Sequence, residues 1–122
     1  MTAKGLEYFV LDYVPNPIRG ERVCIAAVVF DSMDLVEGAC VMALAGGWQE
    51  RVRLFDPDAD VEMLDASLRE IKARLLSKVE RSEMIRQMEE SFSNVVQVSK
   101  RKGCLVADKR DAVEAFARSL LS

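Results

Sequence analysis

Residues 22–30 contain the longest apolar run of the chain, in which Arg22 is followed only by apolar side chains as far as Phe30. A strand with one face in water alternates apolar and polar residues, and this run does not alternate. The run is also far too short to span a bilayer as a helix. We therefore expect residues 22–30 to form a central strand of a sheet that is covered on both faces.

Three further segments predict strands around this one. Residues 6–14 are rich in aromatic and β-branched residues, and residues 35–45 form another largely apolar segment that ends at a Gly-Gly pair. Residues 48–55 alternate in character, which places Arg51 and Arg53 together on one face of the predicted strand. Because short turns join the four segments, we expect an antiparallel meander.

The apolar period changes to three and four residues after Asp56-Pro57-Asp58, a segment with the composition of a helix start. The new pattern predicts a long amphipathic helix over residues 58–78 and a shorter helix over residues 81–91. The apolar residues that define the long helix are Val61, Leu64, Leu68, Ile71, Leu75 and Val79.

Beyond these helices, residues 95–98 predict a short strand, residues 100–103 a basic turn, and Asp108 the cap of a last helix. Segregated strands and helices predict an α+β fold, a single domain over residues 1–122 with an antiparallel four- to five-stranded sheet and three helices packed on one face. The apolar stripe of the long helix would alternatively pack across a homodimer. We favour packing on its own sheet, because the sheet needs cover.

The absence of histidine is the most informative chemical feature of the chain. It excludes Ser-His-Asp and Cys-His catalysis, histidine-based zinc sites and the usual proton shuttle at physiological pH. A net charge of −3 argues against a general nucleic-acid-binding protein. The sequence shows no metal-ligand cluster and no phosphate-binding loop, so we expect no catalytic residue, metal or cofactor.

The three cysteines, Cys24, Cys40 and Cys104, are odd in number and far apart, which indicates free thiols in a reducing compartment. Cys104 follows a basic segment, and nearby cations would lower the pKa of its thiol. The first ten residues have no long apolar stretch, so no signal peptide is expected. With no predicted membrane span either, we expect a cytoplasmic protein.

Arginines provide the first candidate binding site. Arg51 and Arg53, if they share a sheet face, offer two guanidinium groups suited to a phosphate or a carboxylate. The alternative is a solvated face on which the cations pair with nearby acids. The full group comprises Arg19, Arg22, Arg51 and Arg53, and the nearby acids are Asp12, Glu21 and Glu50.

A basic segment near the C terminus is the second candidate. Its cations could contact a nucleic-acid backbone, but no adjacent aromatic residue offers a platform on which bases could stack. Short charge clusters at turns are more commonly solvated surface. The segment comprises Lys100, Arg101, Lys102, Lys109 and Arg110.

Two polar runs are weaker candidates. Asp56, Asp58 and Asp60 are spaced as at the start of a calcium loop, but the required glycine and glutamate are absent. Acids at a helix N-terminus explain this run more simply. Residues 91–94 with Gln97 could bind an anion near a helix end, although serine and asparagine also simply end helices.

The most specific pattern in the chain is Tyr13-Val14-Pro15-Asn16-Pro17-x-Arg19-Gly20-Glu21. Trp48…Arg51-Val52-Arg53…Phe55 and Ser91-Phe92-Ser93-Asn94…Gln97-Val98-Ser99 follow it along the chain. In these segments the chain resembles the bacterial family known as domain of unknown function 3037, and the resemblance covers almost the whole chain. One departure is Cys24-Ile25-Ala26-Ala27, where family members tend to have Asn-Ile-Gly-Val.

The family has no assigned activity, so the resemblance implies little about chemistry. Members of the family are often encoded beside a HipA-like kinase, which implies a protein partner in a toxin–antitoxin or phage-defence setting. We therefore expect a non-enzymatic module that binds another protein. The signature positions that the resemblance marks for binding are Arg19, Glu21, Arg51, Arg53, Asn94 and Gln97.

Two other functions stay open at this point. One is a nucleic-acid accessory protein that uses Lys100, Arg101, Lys102 and Arg110. The other is an unrecognised nuclease or phosphotransfer enzyme, which would need a buried carboxylate with a strongly raised pKa in a cleft.

Overall fold

The computed structural model describes residues 3–16, 18, 20–91 and 96–121. These residues form five strands and four helices. In chain order the elements are β1 (Ala3–Asn16), β2 (Glu21–Phe30), β3 (Cys40–Leu44), α1 (Trp48–Phe55), α2 (Val61–Leu76), α3 (Arg81–Ser91), β4 (Val96–Val98), β5 (Lys102–Ala107) and α4 (Arg110–Ser119).

All strand pairs are antiparallel, and the strands lie in the order β3-β2-β1-β4 with β5 also paired to β1. The long strand β1 makes this arrangement possible, because its first half pairs with β5 and its second half with β4. The predicted α+β class and the antiparallel sheet are therefore confirmed. Among the described residues, no helix has both the length and the apolarity needed to cross a membrane.

Both faces of β2 are buried, as its apolar run predicts. Val28 and Phe30 point to one face and pack with α1, α2 and α3, whereas Val29 points to the other face and packs with α4. On that second face Phe116 of α4 also meets Tyr8 edge to face, with ring centroids 5.4 Å apart. The helix count is thus four rather than three, and α4 covers the opposite face of the sheet from the other three.

The segment predicted as the fourth strand is the helix α1, so that prediction is wrong. Its two buried residues, Trp48 and Val52, are four positions apart, which is the spacing of one helix face rather than of a strand. Gly47, with φ of 67°, takes a left-handed conformation that turns the chain from β3 into the helix. Arg51 and Arg53 therefore cannot share a sheet face, because residues two apart point in nearly opposite directions on a helix.

Several other boundaries differ from the predicted ones. The strand β3 starts at Cys40 rather than at residue 35, because residues 31–39 form a loop. The helix α2 starts at Val61, since Asp60 accepts a hydrogen bond from the Met63 N–H at 3.0 Å and caps it.

The C-terminal part also differs. The predicted basic turn runs directly into β5, a strand that the sequence analysis missed. The residue that precedes α4 as its cap is Lys109, not Asp108, and its side chain makes no capping hydrogen bond. The predicted bounds of α3, residues 81–91, are confirmed.

The loop of residues 31–39 is held by a buried arginine. Arg81 is only 7% exposed, and its guanidinium donates hydrogen bonds to three backbone carbonyls. The acceptors are the carbonyl of Leu75 at 2.6 Å, of Leu35 at 3.1 Å and of Gly38 at 3.0 Å. Arg81 therefore joins the end of α2 and the start of α3 to the loop that precedes β3.

Gly38 is packed so closely in this loop that it has no room for a side chain. A Cβ atom there would lie 2.4 Å from the Asp34 carbonyl oxygen and 2.6 Å from the Asp31 Cβ. We expect Gly38→Ala to lower the free energy of unfolding by about 1–3 kcal/mol, because the loop must shift to accept the methyl group. Urea denaturation measures this, with Gly103→Ala as the control, since a Cβ at Gly103 meets nothing within 4 Å. Equal stability of the two variants would contradict this account of the loop.

Asp31, at the end of β2, is 2% exposed and lies 2.8 Å from the Lys4 ammonium. It also accepts a hydrogen bond from the Met33 N–H at 3.0 Å. The hydrogen bond from Lys4 lowers the pKa of the Asp31 carboxyl below its ordinary value of 3.8.

A carboxyl whose pKa is lowered by folding stabilises the protein above its unfolded pKa and loses that contribution as the pH falls. We therefore expect Asp31 to contribute stability that is complete above about pH 4 and declines at lower pH. Chemical denaturation from pH 6 to pH 3 should show the stability of the wild type falling towards that of Asp31→Asn. A constant difference between the two proteins across this range would contradict the assignment.

Candidate functional site

A groove with a volume of about 660 Å³ runs beside β3, the outermost strand on one side of the sheet. Residues 41–44 of β3 line it from the sheet. Arg51 of α1 and Lys72 of α2 contribute from one side, α4 contributes Glu114 and Arg118 from the other, and Leu121 follows the end of α4. Since α1 and α2 cover one face of the sheet and α4 covers the other, the groove lies between the two helical layers.

The lining of this groove is positive, although the whole chain carries a net charge of −3. Arg51, Lys72 and Arg118 are exposed, and none of them forms an ion pair with a described residue. The acid in the lining, Glu114, already pairs with Arg110, whose Nε lies 3.1 Å from its carboxylate. The groove is therefore suited to bind an anionic group.

Packing of the three helices places these cations at the groove. Trp48 and Val52 bury one face of α1 and leave Arg51 outside the core. On α2 the buried stripe at Leu68, Ile71 and Leu75 leaves Lys72 exposed at its margin. On α4 the buried residues are Val113 and Ala117, so that Glu114 and Arg118, one turn apart, lie side by side along the helix.

Of the predicted binding residues that the structure describes, only Arg51 lines this groove. Arg53 is exposed on α1 but does not line the groove. Gln97 lies in β4, which β1 and β2 separate from β3. Arg19 and Asn94 lie outside the described residues. The predicted residues that the structure describes therefore do not form one site.

Glu21 begins β2, directly after Gly20, whose φ of 71° shows the left-handed turn conformation expected of a glycine there. The next residue, Arg22, pairs with the largely buried Asp12 at 3.3 Å. For Arg22, the pairing with a nearby acid that the sequence suggested as the alternative to a binding role is confirmed.

The basic C-terminal segment is less available for binding nucleic acid than its composition indicates. Arg101 lies 2.5 Å from the Glu89 carboxylate and 3.6 Å from that of Glu7, and its guanidinium lies over the Phe30 ring at 5.0 Å from the centroid. The hydrogen bond to Glu89 raises the pKa of Arg101. Arg110 pairs with Glu114. Lys100 and Lys102 are exposed and form no ion pair with a described residue. Of the four residues predicted to bind nucleic acid, two therefore pair with acids of the protein itself.

The three cysteines are free, and burial raises the pKa of each thiol. For Cys40, which is largely buried, the pKa rises to about 11. The lowered pKa expected for Cys104 from its basic neighbours is wrong, because burial outweighs any effect of those cations. None of the thiols is activated as a nucleophile.

The Asp56, Asp58 and Asp60 run has a structural role. Asp60 caps α2, while Asp56 accepts a hydrogen bond from the Tyr13 hydroxyl at 2.6 Å and joins the end of α1 to β1. Burial, assisted by this bond, raises the pKa of Tyr13 to about 12. Within the described part of the chain, no group of three His, Cys, Asp or Glu residues is arranged to hold a metal ion.

Three of the charged residues that line the groove were not predicted from the sequence: Lys72, Glu114 and Arg118. Each belongs to the polar face of an amphipathic helix, where charged residues are ordinary. The only sequence signal was their place outside the apolar stripes of α2 and α4. That signal gives no indication that the two polar faces meet beside one strand.

Arg101 joins α3, β1 and the Phe30 ring, and we expect Arg101→Ala to lower the free energy of unfolding by about 1 kcal/mol. The neighbouring Lys102 is the matched control, because Lys102→Ala removes the same charge at a residue without an ion pair among the described residues. Urea denaturation should place Lys102→Ala within about 0.5 kcal/mol of the wild type. A Lys102 variant as unstable as the Arg101 variant would show that Arg101 is not the residue that joins these elements.

Comparison with known proteins gives a family and no assigned activity. The chain matches no functionally curated protein and no solved structure. The family model described as "Protein of unknown function (DUF3037)" matches residues 8–121, which include most of β1, all of β2 and the whole groove lining. The chain therefore belongs to the DUF3037 family, as its signature segments indicated.

Proposed function

We propose that this protein is a non-catalytic recognition module that binds a partner protein in the groove beside β3. The observation that carries the proposal is the set of three cations, Arg51, Lys72 and Arg118, that line an open groove without an ion-pair partner among the described residues. Exposed cations usually pair or spread over a surface, whereas these three come from three different helices and converge on one strand.

A segment of protein chain fits this groove better than a small anion does. Apolar residues line the groove together with the cations, since Leu44 is 37% exposed and Leu121 is half-buried. Protein segments combine charged and apolar side chains in this way. The partner segment should be acidic, because the cations of the groove outnumber its single, already paired acid.

The chemistry of the described residues supports binding rather than catalysis. The chain has no histidine, and its thiols have raised pKa values. The largely buried carboxylates, Asp12 and Asp31, are paired with Arg22 and Lys4. The hydrogen bond from Lys4 lowers the pKa of Asp31, whereas a general acid needs a raised pKa.

The first partner that we propose is a HipA-like kinase, in a cytoplasmic toxin–antitoxin or phage-defence setting. This choice rests on the family resemblance, while the groove specifies only the acidic chemistry of the partner segment. Within a kinase we expect the contact at an exposed acidic stretch rather than at its nucleotide site.

The chain offers a matched pair of variants to test the groove. Arg51→Glu and Arg53→Glu make the same charge change on the same helix at two exposed residues, and only Arg51 lines the groove. We expect Arg51→Glu to weaken partner binding about 10-fold or more, and Arg53→Glu to leave it within about 2-fold. The measurement is isothermal titration calorimetry with a purified HipA-like kinase, or with a partner purified after capture by the wild type.

Thermal melting of both variants serves as the control for folding. Equal effects of Arg51→Glu and Arg53→Glu on binding would contradict the assignment of the site to the groove. If neither variant affects binding, the interaction surface does not include α1.

A further inference from the structure

The pairing of β3 with β2 determines which backbone groups of β3 face the groove. The Ala45 N–H donates to the Ile25 carbonyl at 2.9 Å, and the Asp31 N–H donates to the Ala39 carbonyl at 2.9 Å. In an antiparallel pair, alternate residues of a strand direct both of their backbone polar groups to the same neighbour. The odd-numbered residues from Ala39 to Ala45 therefore bond to β2.

Met42 and Leu44 consequently direct their N–H and carbonyl groups away from β2, towards the groove that they line. Neither residue forms a hydrogen bond with any described residue beyond β3. An edge of this kind is a ready template for another strand, unless a helix or a loop covers it. Here the helices stand on either side of the edge and leave a groove along it.

We propose that the groove binds an extended acidic segment of the partner protein, which adds to the sheet as a further strand outside β3. The inference rests on the proposed function and names the way in which the partner binds. Main-chain hydrogen bonds to Met42 and Leu44 would supply affinity, and the two sides of the groove would select side chains.

The two sides of the groove predict the pattern of the bound segment. Side chains of an added strand point alternately to the two faces of the sheet. On the face covered by α1 and α2 they would meet Arg51 and Lys72, which favours acids at every second position. On the face covered by α4 they would lie beside Val41 and Ala43 of β3, which favours apolar residues, and near Glu114 and Arg118, which together tolerate either charge.

A second copy of this chain fits the groove less well. Pairing of β3 with β3 across a twofold axis would bring Arg51, Lys72 and Arg118 close to the same three cations of the other copy. Like charges that face each other oppose such pairing. β3 has only five residues. The added segment would therefore gain few hydrogen bonds and needs its charges as well.

Leu44→Pro tests the backbone pairing directly. Proline removes the N–H that faces the groove, and no hydrogen bond to β2 is lost because the Leu44 N–H points away from β2. Leu44→Val changes the same side chain but keeps the N–H, so it is the matched control. Thermal melting reports whether each variant folds, and Arg51→Glu provides a second test that does not change the strand.

The probe is a labelled synthetic peptide of about seven alternating glutamate and valine residues with blocked ends, long enough to cover β3. Its control has the same composition, with all of the glutamates before all of the valines. Binding is measured by fluorescence anisotropy, and hydrogen exchange followed by NMR measures protection of the Met42 and Leu44 amides.

We expect the alternating peptide to bind about 10-fold or more tightly than its control, and to lose about 10-fold in affinity on Arg51→Glu. Leu44→Pro should weaken binding by a similar factor, while Leu44→Val should not. Saturation with the peptide should slow hydrogen exchange at Met42 and Leu44. Higher salt should weaken binding, because screening acts on the exposed charges.

Failure of the alternating peptide to bind at about 1 mM would overturn strand addition, as would equal affinity for the two peptides. Unprotected Met42 and Leu44 amides in the saturated complex would overturn it too.

If the partner protein still binds in an Arg51-dependent manner, the recognition module stands and only this mode of binding fails. Loss of Arg51 dependence for peptide and partner alike would overturn both. If the protein forms a dimer that dissociates on Leu44→Pro, the groove binds a second copy of the chain, and the proposal of an acidic partner segment is overturned.

Discussion

Burial of β2 on both faces is the constraint on which the rest of the structure depends. Phe30 and Val28 require cover on one face and Val29 requires it on the other, and each large apolar side chain left in water would cost roughly 1.5–3 kcal/mol. The helices α1, α2 and α3 supply the first layer, and the chain must then return across the sheet to supply the second. It does so through β5 and α4. The position of α4 beside β3, and with it one side of the groove, follows from the need to cover Val29.

The helices cover the faces of the sheet but not the edge at β3. On the opposite side, β4 and β5 together pair with β1. On the β3 side, residues 31–39 form a loop that Arg81 holds in place, which limits β3 to five residues. An open edge is a liability for aggregation, and cations beside it are one of the means by which proteins oppose pairing between copies. The same cations would favour binding of an acidic partner segment. Protection from self-association and selection of a partner can therefore come from the same residues.

The sequence was informative where the evidence is local. The unbroken apolar run of β2, the i, i+3 and i+4 stripe of α2 and the bounds of α3 were all visible in the pattern of side chains. Residues 48–55 were wrongly predicted as a strand, because Trp48 and Val52 fit both a two-residue and a four-residue period. In a segment of eight residues the two periods are hard to separate. β5 was missed because Lys102 and Gly103 at its start are typical of a turn, and its pairing with the first half of β1 lies about a hundred positions away in the chain.

The candidate site could be predicted only in part for the same reason. Arg51 was selected, but as a member of a sheet face that does not exist, and its actual neighbours Lys72 and Arg118 come from separate helices. Nothing in the local pattern of α2 or α4 indicates that their polar faces meet at one edge. The register of β3 adds information of a different kind. Either the odd-numbered or the even-numbered residues of β3 bond to β2, and this choice decides whether Met42 or Val41 directs its N–H outward. The chemistry of the side chains does not indicate which set it is.

The net charge of the protein and the charge of the groove act at different distances. A net charge of −3 repels an acidic partner at long range, but at physiological ionic strength this repulsion is screened beyond about 8 Å. Inside the groove the distance between the cations and a bound acidic segment is shorter than that length. The unpaired cations therefore dominate at contact, while the acidic remainder of the surface disfavours contact elsewhere. An acidic segment would thus be directed to one strand edge of a protein whose net charge is negative.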